Sequence, residues 1–300
     1  MRTLPQVSAR RRRTDRTMRI LLGCCTAIAL VPLGLIIFYL LRSGASSWSV
    51  HFFTSDPTGN QCFPHLPGGP APPPCNIGGI RSALLGTLEI MGLATAISVP
   101  LGIGVALWLT EYGKSASWFA NVVRYFVDVM TGVPSIVFGL FVYIVLVASH
   151  VGGDAVAWKG AVALSLLMLP IVTRAAEVVL LLVPSDLREA ALALGAPRWR
   201  VVLRVVLPTA GSGLVTGALL AIARGAGETA PLLFTIGAGH VLTGSLTQPM
   251  NSLPTQIFSD LGEPQNVFID RAWGSALTLV ALILLLNLIA RALSRRSRLT

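Results

Sequence analysis

Residues 20 to 41 contain no charged side chain, and that stretch limits the folds open to the chain more than any other feature. About 20 consecutive apolar residues are what a helix needs to cross the hydrocarbon core of a bilayer, where each backbone polar group must be satisfied within its own segment. Comparable stretches recur at about residues 82–109, 130–150 and 157–183, through TGALLAIARGAGETAPLLFTIG (residues 216–237), and at about 273–293. With 53% hydrophobic and 12% charged residues, the chain has too few charges to cover a water-facing surface. The sequence therefore predicts an all-α polytopic membrane protein with six transmembrane helices. The first stretch has the basic start of a signal peptide, but it is longer than a signal peptide's apolar region and reads as a retained span.

The net charge of +10 is topological. Seven arginines (Arg2, Arg10 to Arg13, Arg16 and Arg19) precede the first span, and Arg291, Arg295, Arg296 and Arg298 follow or end the last. They form no patch with interleaved aromatics, so nucleic acid is not an expected partner, and membrane lipid is. Positive residues stay on the cytoplasmic side, which predicts both termini inside. The same rule assigns 43–79, with no Lys or Arg and a Pro/Gly-rich tract around Pro64 to Pro74, to an outside loop, and 239–270 likewise. The chain divides into a basic tail (1–19), the first span (20–42), that loop (43–79) and a transmembrane domain (80–300). Cys62 and Cys75 lie in the loop, paired or free. Cys24 and Cys25, inside the first span, read as packing residues. No internal repeat is apparent.

Between the fourth and fifth spans lies Pro184 to Pro208, PSDLREAALALGAPRWRVVLRVVLP, a polar segment rich in arginine. Asp186 is a candidate helix N-cap with Glu189 three residues on, both suited to the positive end of a helix dipole. Ala190, Ala191 and Ala193 favour helix with little bulk. Gly195 suits a left-handed C-terminal position and Pro197 forbids continuation, so a second helix should begin near Arg198. Glu-Ala-Ala, then Gly195, then Val205, Leu207 and Pro208 resembles the EAA loop of bacterial ABC-importer permeases, with valine in place of isoleucine at 205. In that family the element, here at about 185–200, is the cytoplasmic coupling helix held in a groove of the ATPase subunit. The resemblance assigns that role to Glu189, Ala190, Ala191, Gly195, Leu207 and Pro208.

Further strings narrow the resemblance. GGI and GT near residue 80, PLGIGVALWLTEY, VPSIVFGLF, LPIVTRAAE and IARGAGETAPLLFTIG are similar to the A-type permease subunits of phosphate ABC importers, over about residues 78–295. The resemblance implies the MetI-like type I importer fold and no cofactor in this chain. It also implies a C-type second permease subunit, two B-type ATPase subunits and an S-type extracytoplasmic phosphate-binding protein. Gly113-Lys114-Ser115 lacks the glycine a P-loop needs at 108, where Trp108 stands, so ATP hydrolysis would come from another subunit and the chain is not an enzyme. Gly225-x-Gly227-x-x-Ala230 interrupts an apolar span instead of following a strand, so it is not a dinucleotide fingerprint. No HExxH, GxSxG or paired intramembrane aspartate supports an intramembrane enzyme.

Charges inside spans are the candidates for chemistry. Arg174 and Glu177 are three residues apart on one face of the fourth span; Arg224 and Glu228 are four apart in the fifth. A bare charge at mid-bilayer costs at least ~2.5–3.5 kcal/mol, so these groups should face one another, a polar cavity or a substrate. Arginine, always charged and able to bond two oxygens at once, suits phosphate. The alternative is that Arg174 and Glu177 neutralise each other as packing and Arg224 marks the end of its span. The resemblance implies that Arg174 and Arg224, with Glu177 and Glu228, belong to the translocation path. Sulfate or molybdate transport, or a scaffold that signals phosphate status, are the competing functions. Glu89 is an unassigned acid in the second span. Residues 115–130 predict an amphipathic cytoplasmic interfacial helix, with Ser117, Asn121, Arg124 and Asp128 on one face and an Arg124–Asp128 pair at i, i+4, ahead of a third span at about 130–150.

Overall fold

The structure, a computed structural model, describes residues 9–57, 77–113, 117–237, 239 and 244–296. All regular elements among these residues are helical, and the sole β feature is an isolated bridge between Pro57 and Gly78. Helix α1 (Ala9–Gly44) is followed by the short α2 (Val50–Thr54), then α3 (Arg81–Leu107), α4 (Ser117–Gly132), α5 (Ser135–Val142) and α6 (Ala157–Leu181). Two short helices, α7 (Ser185–Ala193) and α8 (Arg198–Val201), precede α9 (Leu207–Ala226), α10 (Ala230–Thr235), α11 (Leu253–Leu261) and α12 (Asn266–Arg296). Five helical stretches are long and apolar enough to cross a membrane, or six if the bent α4–α5 pair forms one span.

The core is α3 packed along α6, with α9 on the other side of α6, around Ile90, Ala94, Leu164, Met168, Val172 and Ala221. Small residues set the closeness: a Cβ on Gly102 would stand 2.7 Å from Val172. Helix α1 is anchored by one end only. Gly44 abuts Leu277 of α12, the Trp48 indole donates to the Gly274 carbonyl, and the rest of its apolar surface lies outside the bundle. The helix begins well before residue 20 and takes Arg10 to Arg19 into its first turns. Cys24 and Cys25 are exposed on it, so they do not pack within this chain. Cys62, Cys75, Lys114 and Ser115 fall outside the described residues.

The expected interfacial helix and third span are separate helices, and the break between them falls at the start of the expected span. Gly132-Val133-Pro134 ends α4, and the continuation, α5 with a π-helical turn at Tyr143–Val147, leaves at 103°. Pro134 has no N–H to extend the helix and holds Val133 out of helical geometry, so the break is local chemistry. Helix α4 is amphipathic as expected but inverted relative to a soluble helix. Trp118, Phe119 and Phe126 are exposed, while Arg124 turns to the bundle.

Two buried cations fix the α10–α11 end. Lys159, 0% exposed, donates to the carbonyls of Leu146, Gly153 and Asp154 at 3.0, 2.6 and 2.7 Å, which uses all three ammonium hydrogens. Arg271 on α12 forms a bidentate pair with Asp260 on α11, Nε–Oδ2 2.9 Å and Nη2–Oδ1 2.6 Å, and also donates to the Ile77 carbonyl. Gln256 completes that carboxylate's shell at 2.7 Å, so the buried charges are paired and hydrogen-bonded.

Candidate functional site

Helix α9 runs back along α6 in a register set by three glycines. A Cβ on Gly213 would meet Val179 at 2.5 Å, on Gly217 Ala175 at 2.7 Å, and on Gly225 the Met168 sulfur at 2.9 Å. The neighbour admitted by the Gly213-x-x-x-Gly217 spacing is therefore α6. This register gives depths. Met168 lies about 16 Å along the roughly 36 Å of α6, so Arg224, beside Gly225, is near mid-bundle. Arg174 is about six residues, or ~9 Å, nearer the α7 end. The two arginines share no ion-pair cluster.

Arg174 belongs to a ladder of four charges. Its Nε donates to Asp128 Oδ1 at 2.7 Å, its Nη2 contacts Asp128 Oδ2, and its Nη1 donates to Glu177 Oε2 at 2.7 Å. Glu177 Oε1 accepts from Arg124 Nε at 2.7 Å, and Arg124 reaches the Leu109 carbonyl at 3.1 Å. The expected Arg174–Glu177 pair is present. The Arg124–Asp128 pair is not: both residues point across to α6. A pair along one exposed helix face gives only ~0.2–0.5 kcal/mol, which cross-helix partners with buried or bidentate geometry outweigh. Glu177 is the inner member, 5% exposed, whereas Asp128 and Arg174 are 57% and 33% exposed at the open end of the ladder.

Arg224 and Glu228 meet at 3.4 Å, with side chains 60% and 16% exposed. Helix α9 stops at Ala226; Gly227 and Glu228 donate back to the Arg224 and Gly225 carbonyls, and α10 resumes at Ala230 along α6, its Leu232 and Ile236 against Gly160. The fifth span is thus broken close to mid-depth beside Arg224. Irregular backbone at such a depth is tolerated where it lines a polar space. Glu89 is half-buried on α3.

At the other end, α7 and α8 form the expected helix-turn-helix. Gly195 has φ +81° and α8 starts at Arg198. Asp186 is not the cap: Pro184 occupies that position, its fixed φ of −58° setting the entry, and Asp186 lies in the first turn, where its charge still complements the dipole. Glu189 and Ala190 are exposed, Ala191 and Leu207 pack on the bundle, and Pro208 lies in the first turn of α9. The missing Pro208 N–H accounts for the π-helical turn Val202–Val206 before it.

Sequence reasoning missed the residue that ties this element down. Arg188 donates to Glu111 Oε1 from Nε at 3.0 Å, and to the Leu180 and Val183 carbonyls at 2.8 and 2.6 Å. One guanidinium thereby joins α7 to the last turns of α6 and to the π-helical turn Trp108–Tyr112 that ends α3. The arginine and its acid are 77 residues apart, and no local spacing announces them. An open cavity of about 890 Å³ lies beneath, lined by Glu111, Tyr112, Arg188, Glu189, Leu192 and Arg198. Leu187, Leu194 and Trp199 face outward. No group of three or more His, Cys, Asp or Glu that could hold a metal ion occurs among the described residues.

The family model for the binding-protein-dependent transport system inner membrane component matches residues 98–299. The chain is 44% identical over 230 residues to the phosphate transport system permease protein PstA of Yersinia pestis, covering 76% of each. It is 44% identical over 227 residues to PstA 1 of Mycobacterium tuberculosis, covering 74% of this chain and 73% of that one. Among solved structures, a chain of a bacterial alginate ABC transporter in complex with alginate pentasaccharide-bound periplasmic protein superposes with a TM-score of 0.64 at 17% identity, covering 95% and 96%. An inward-facing MetNI methionine ABC transporter gives 0.57 at 21% identity, covering 73% of this chain and 94% of that chain.

Proposed function

The chain belongs to the binding-protein-dependent transport system inner membrane component family, and from that membership we propose that it is the permease subunit of an ATP-driven importer of inorganic phosphate. Its fold is that of the MetI-like type I importer permeases. One observation carries the reading furthest. The Arg224 side chain is 60% exposed near mid-depth of an apolar bundle, beside broken backbone, with one ion pair among the described residues, to Glu228 at 3.4 Å. A guanidinium at that depth cannot be left to hydrocarbon, so the face it occupies is polar and is closed by another subunit. That subunit is a second, C-type permease. Phosphate released by an S-type binding protein passes Arg224 and then Arg174, whose forked donors match its oxygens.

Two B-type ATPase subunits supply the hydrolysis. Both chain termini and α7–α8 face the cytoplasm, and α7 seats on the ATPase through Glu189 and the outward leucines. Closure of the ATPases moves α7, α3 and α6 follow through Arg188, and the path opens alternately to the two sides.

The test is ATP-dependent uptake of labelled phosphate and labelled sulfate into proteoliposomes that hold the chain with its co-purified permease, ATPase and binding protein. Phosphate-selective uptake is expected; sulfate-selective uptake would keep the permease and discard the substrate. In the same system Glu189→Lys should remove co-purification with the ATPase and bring uptake to background while the chain stays in the membrane. Unchanged co-purification and uptake would end the coupling role.

A further inference from the structure

Resting on the reading of Arg174 as a contact of the transported anion, we propose that Asp128 is a built-in competitor for that anion: its carboxylate fills, on Arg174, the two-oxygen seat a phosphate would take, and it leaves that seat when phosphate passes. The geometry is that of oxyanion recognition. Nε and Nη2 of Arg174 present one edge of the guanidinium, and the two Asp128 oxygens occupy both donors. The other edge is committed, because Nη1 holds Glu177, which is buried and also gripped by Arg124. The two carboxylates on Arg174 are therefore unlike. Glu177 is a fixed support that aims the arginine, and Asp128 is the exposed, exchangeable partner.

Charge balance fits an exchange. Arg124 and Arg174 oppose Asp128 and Glu177, so the ladder sums to zero, and replacing Asp128 by a phosphate monoanion leaves the sum unchanged. Arg174 therefore keeps an anionic partner throughout, and the displaced Asp128 carboxylate, 57% exposed, is taken up by water and not left unpaired in a low-dielectric bundle. The host element is suited to movement. Asp128 is one turn before the Gly132-Val133-Pro134 break at which the chain turns by 103°, so α4 and α5 share no continuous helix and a tilt of α4 need not bend α5. Its outward face is apolar, and it holds α6 through Arg124 and Asp128. A site that must let its anion go gains from an internal carboxylate that takes back the donors as the anion leaves.

The experiment is equilibrium binding of labelled inorganic phosphate to the purified, nucleotide-free importer without its binding protein. Asp128→Asn should bind phosphate about tenfold more tightly, the size of effect when one competing contact is removed, and should show a lower maximal uptake rate. Asp128→Glu should restore binding to about that of the unaltered chain; the tighter binding of Asp128→Asn is the result a purely structural role would not give. Arg174→Gln should abolish binding. Binding unchanged by Asp128→Asn but abolished by Arg174→Gln would overturn the competitor and leave the path reading intact. Binding untouched by Arg174→Gln would overturn the path reading itself.

Should Asp128→Asn fail to assemble, the movement can be read with Asp128 in place. Spin labels go at Tyr125 and Val178, both exposed, in a chain whose four cysteines are replaced by serine. Phosphate should lengthen the α4–α6 distance, and no change on saturation would overturn the proposal.

Discussion

Phosphate uptake by an importer carrying Arg224→Gln should fall at least about a hundredfold, to background, while the complex assembles and inserts normally. The size follows from losing a charge-assisted, forked contact in a space shut off from bulk water. The lack of a folding defect follows from the geometry in this chain. Among the described residues Arg224 makes one ion pair, at 3.4 Å, with most of its side chain exposed, and such a pair contributes at most about 1 kcal/mol to stability. The break after it is set by Gly227 and by the carbonyl contacts at Arg224 and Gly225, which involve backbone alone. Arg224→Lys should transport poorly but measurably, since it keeps the charge and loses the fork. Uptake by Arg224→Gln at the unaltered rate, measured in proteoliposomes with equal amounts of complex, would mean that the arginine serves packing.

Arg188→Met should separate ATP hydrolysis from transport. Methionine keeps much of the aliphatic stem but leaves Glu111 without its partner and takes the side-chain donor from the Leu180 and Val183 carbonyls, so α7 is no longer fastened by it to the ends of α3 and α6. ATP hydrolysis should persist within about threefold while phosphate moved per ATP falls about tenfold or more, because closure then moves α7 without the spans. A stability loss of about 2–4 kcal/mol is expected from the half-broken pair, seen as an earlier unfolding transition in detergent. Glu111→Gln should reproduce part of the uncoupling, and the double variant should be little worse than Arg188→Met alone, as befits two halves of one contact. An unchanged ratio of phosphate to ATP would show that α7 is coupled through its apolar contacts alone.

What could be read from the sequence and what could not divides along the range of the interactions. The turn at Gly195 and Pro197, the close approach at Gly213 and Gly217, and the Arg174–Glu177 pair follow from rules spanning a few residues. The break at Pro134 has its signal in Gly132-Val133-Pro134, at the boundary between the expected interfacial helix and the expected third span. The amphipathic pattern of α4 was visible and its direction was not. In a soluble protein the apolar face goes inward; here the surroundings are apolar and the charges inside need partners, so Arg124 and Asp128 turn toward α6. Arg188 with Glu111, Arg271 with Asp260 and Lys159 with its carbonyls have partners that only the packed bundle brings near. Asp186 lies two positions past the N-cap, since Pro184 already fixes the helix entry.

Lys159 acts as a pin. With each of its hydrogens bound to a carbonyl, it fastens the first turn of α6 to the chain around Leu146 and Asp154, while the opposite end of α6 carries α7. A rod fixed at one end and pushed at the other tilts, and displacement along it scales with distance from the fulcrum. A one-turn shift at α7, ~5.4 Å, would arrive as roughly 3.7 Å at Arg174 and roughly 2.2 Å at the level of Arg224. On the reading that α7 is driven by the ATPase, such a stroke would disturb the Arg174–Asp128 contacts more than the level of Arg224, in proportion to distance from the pin.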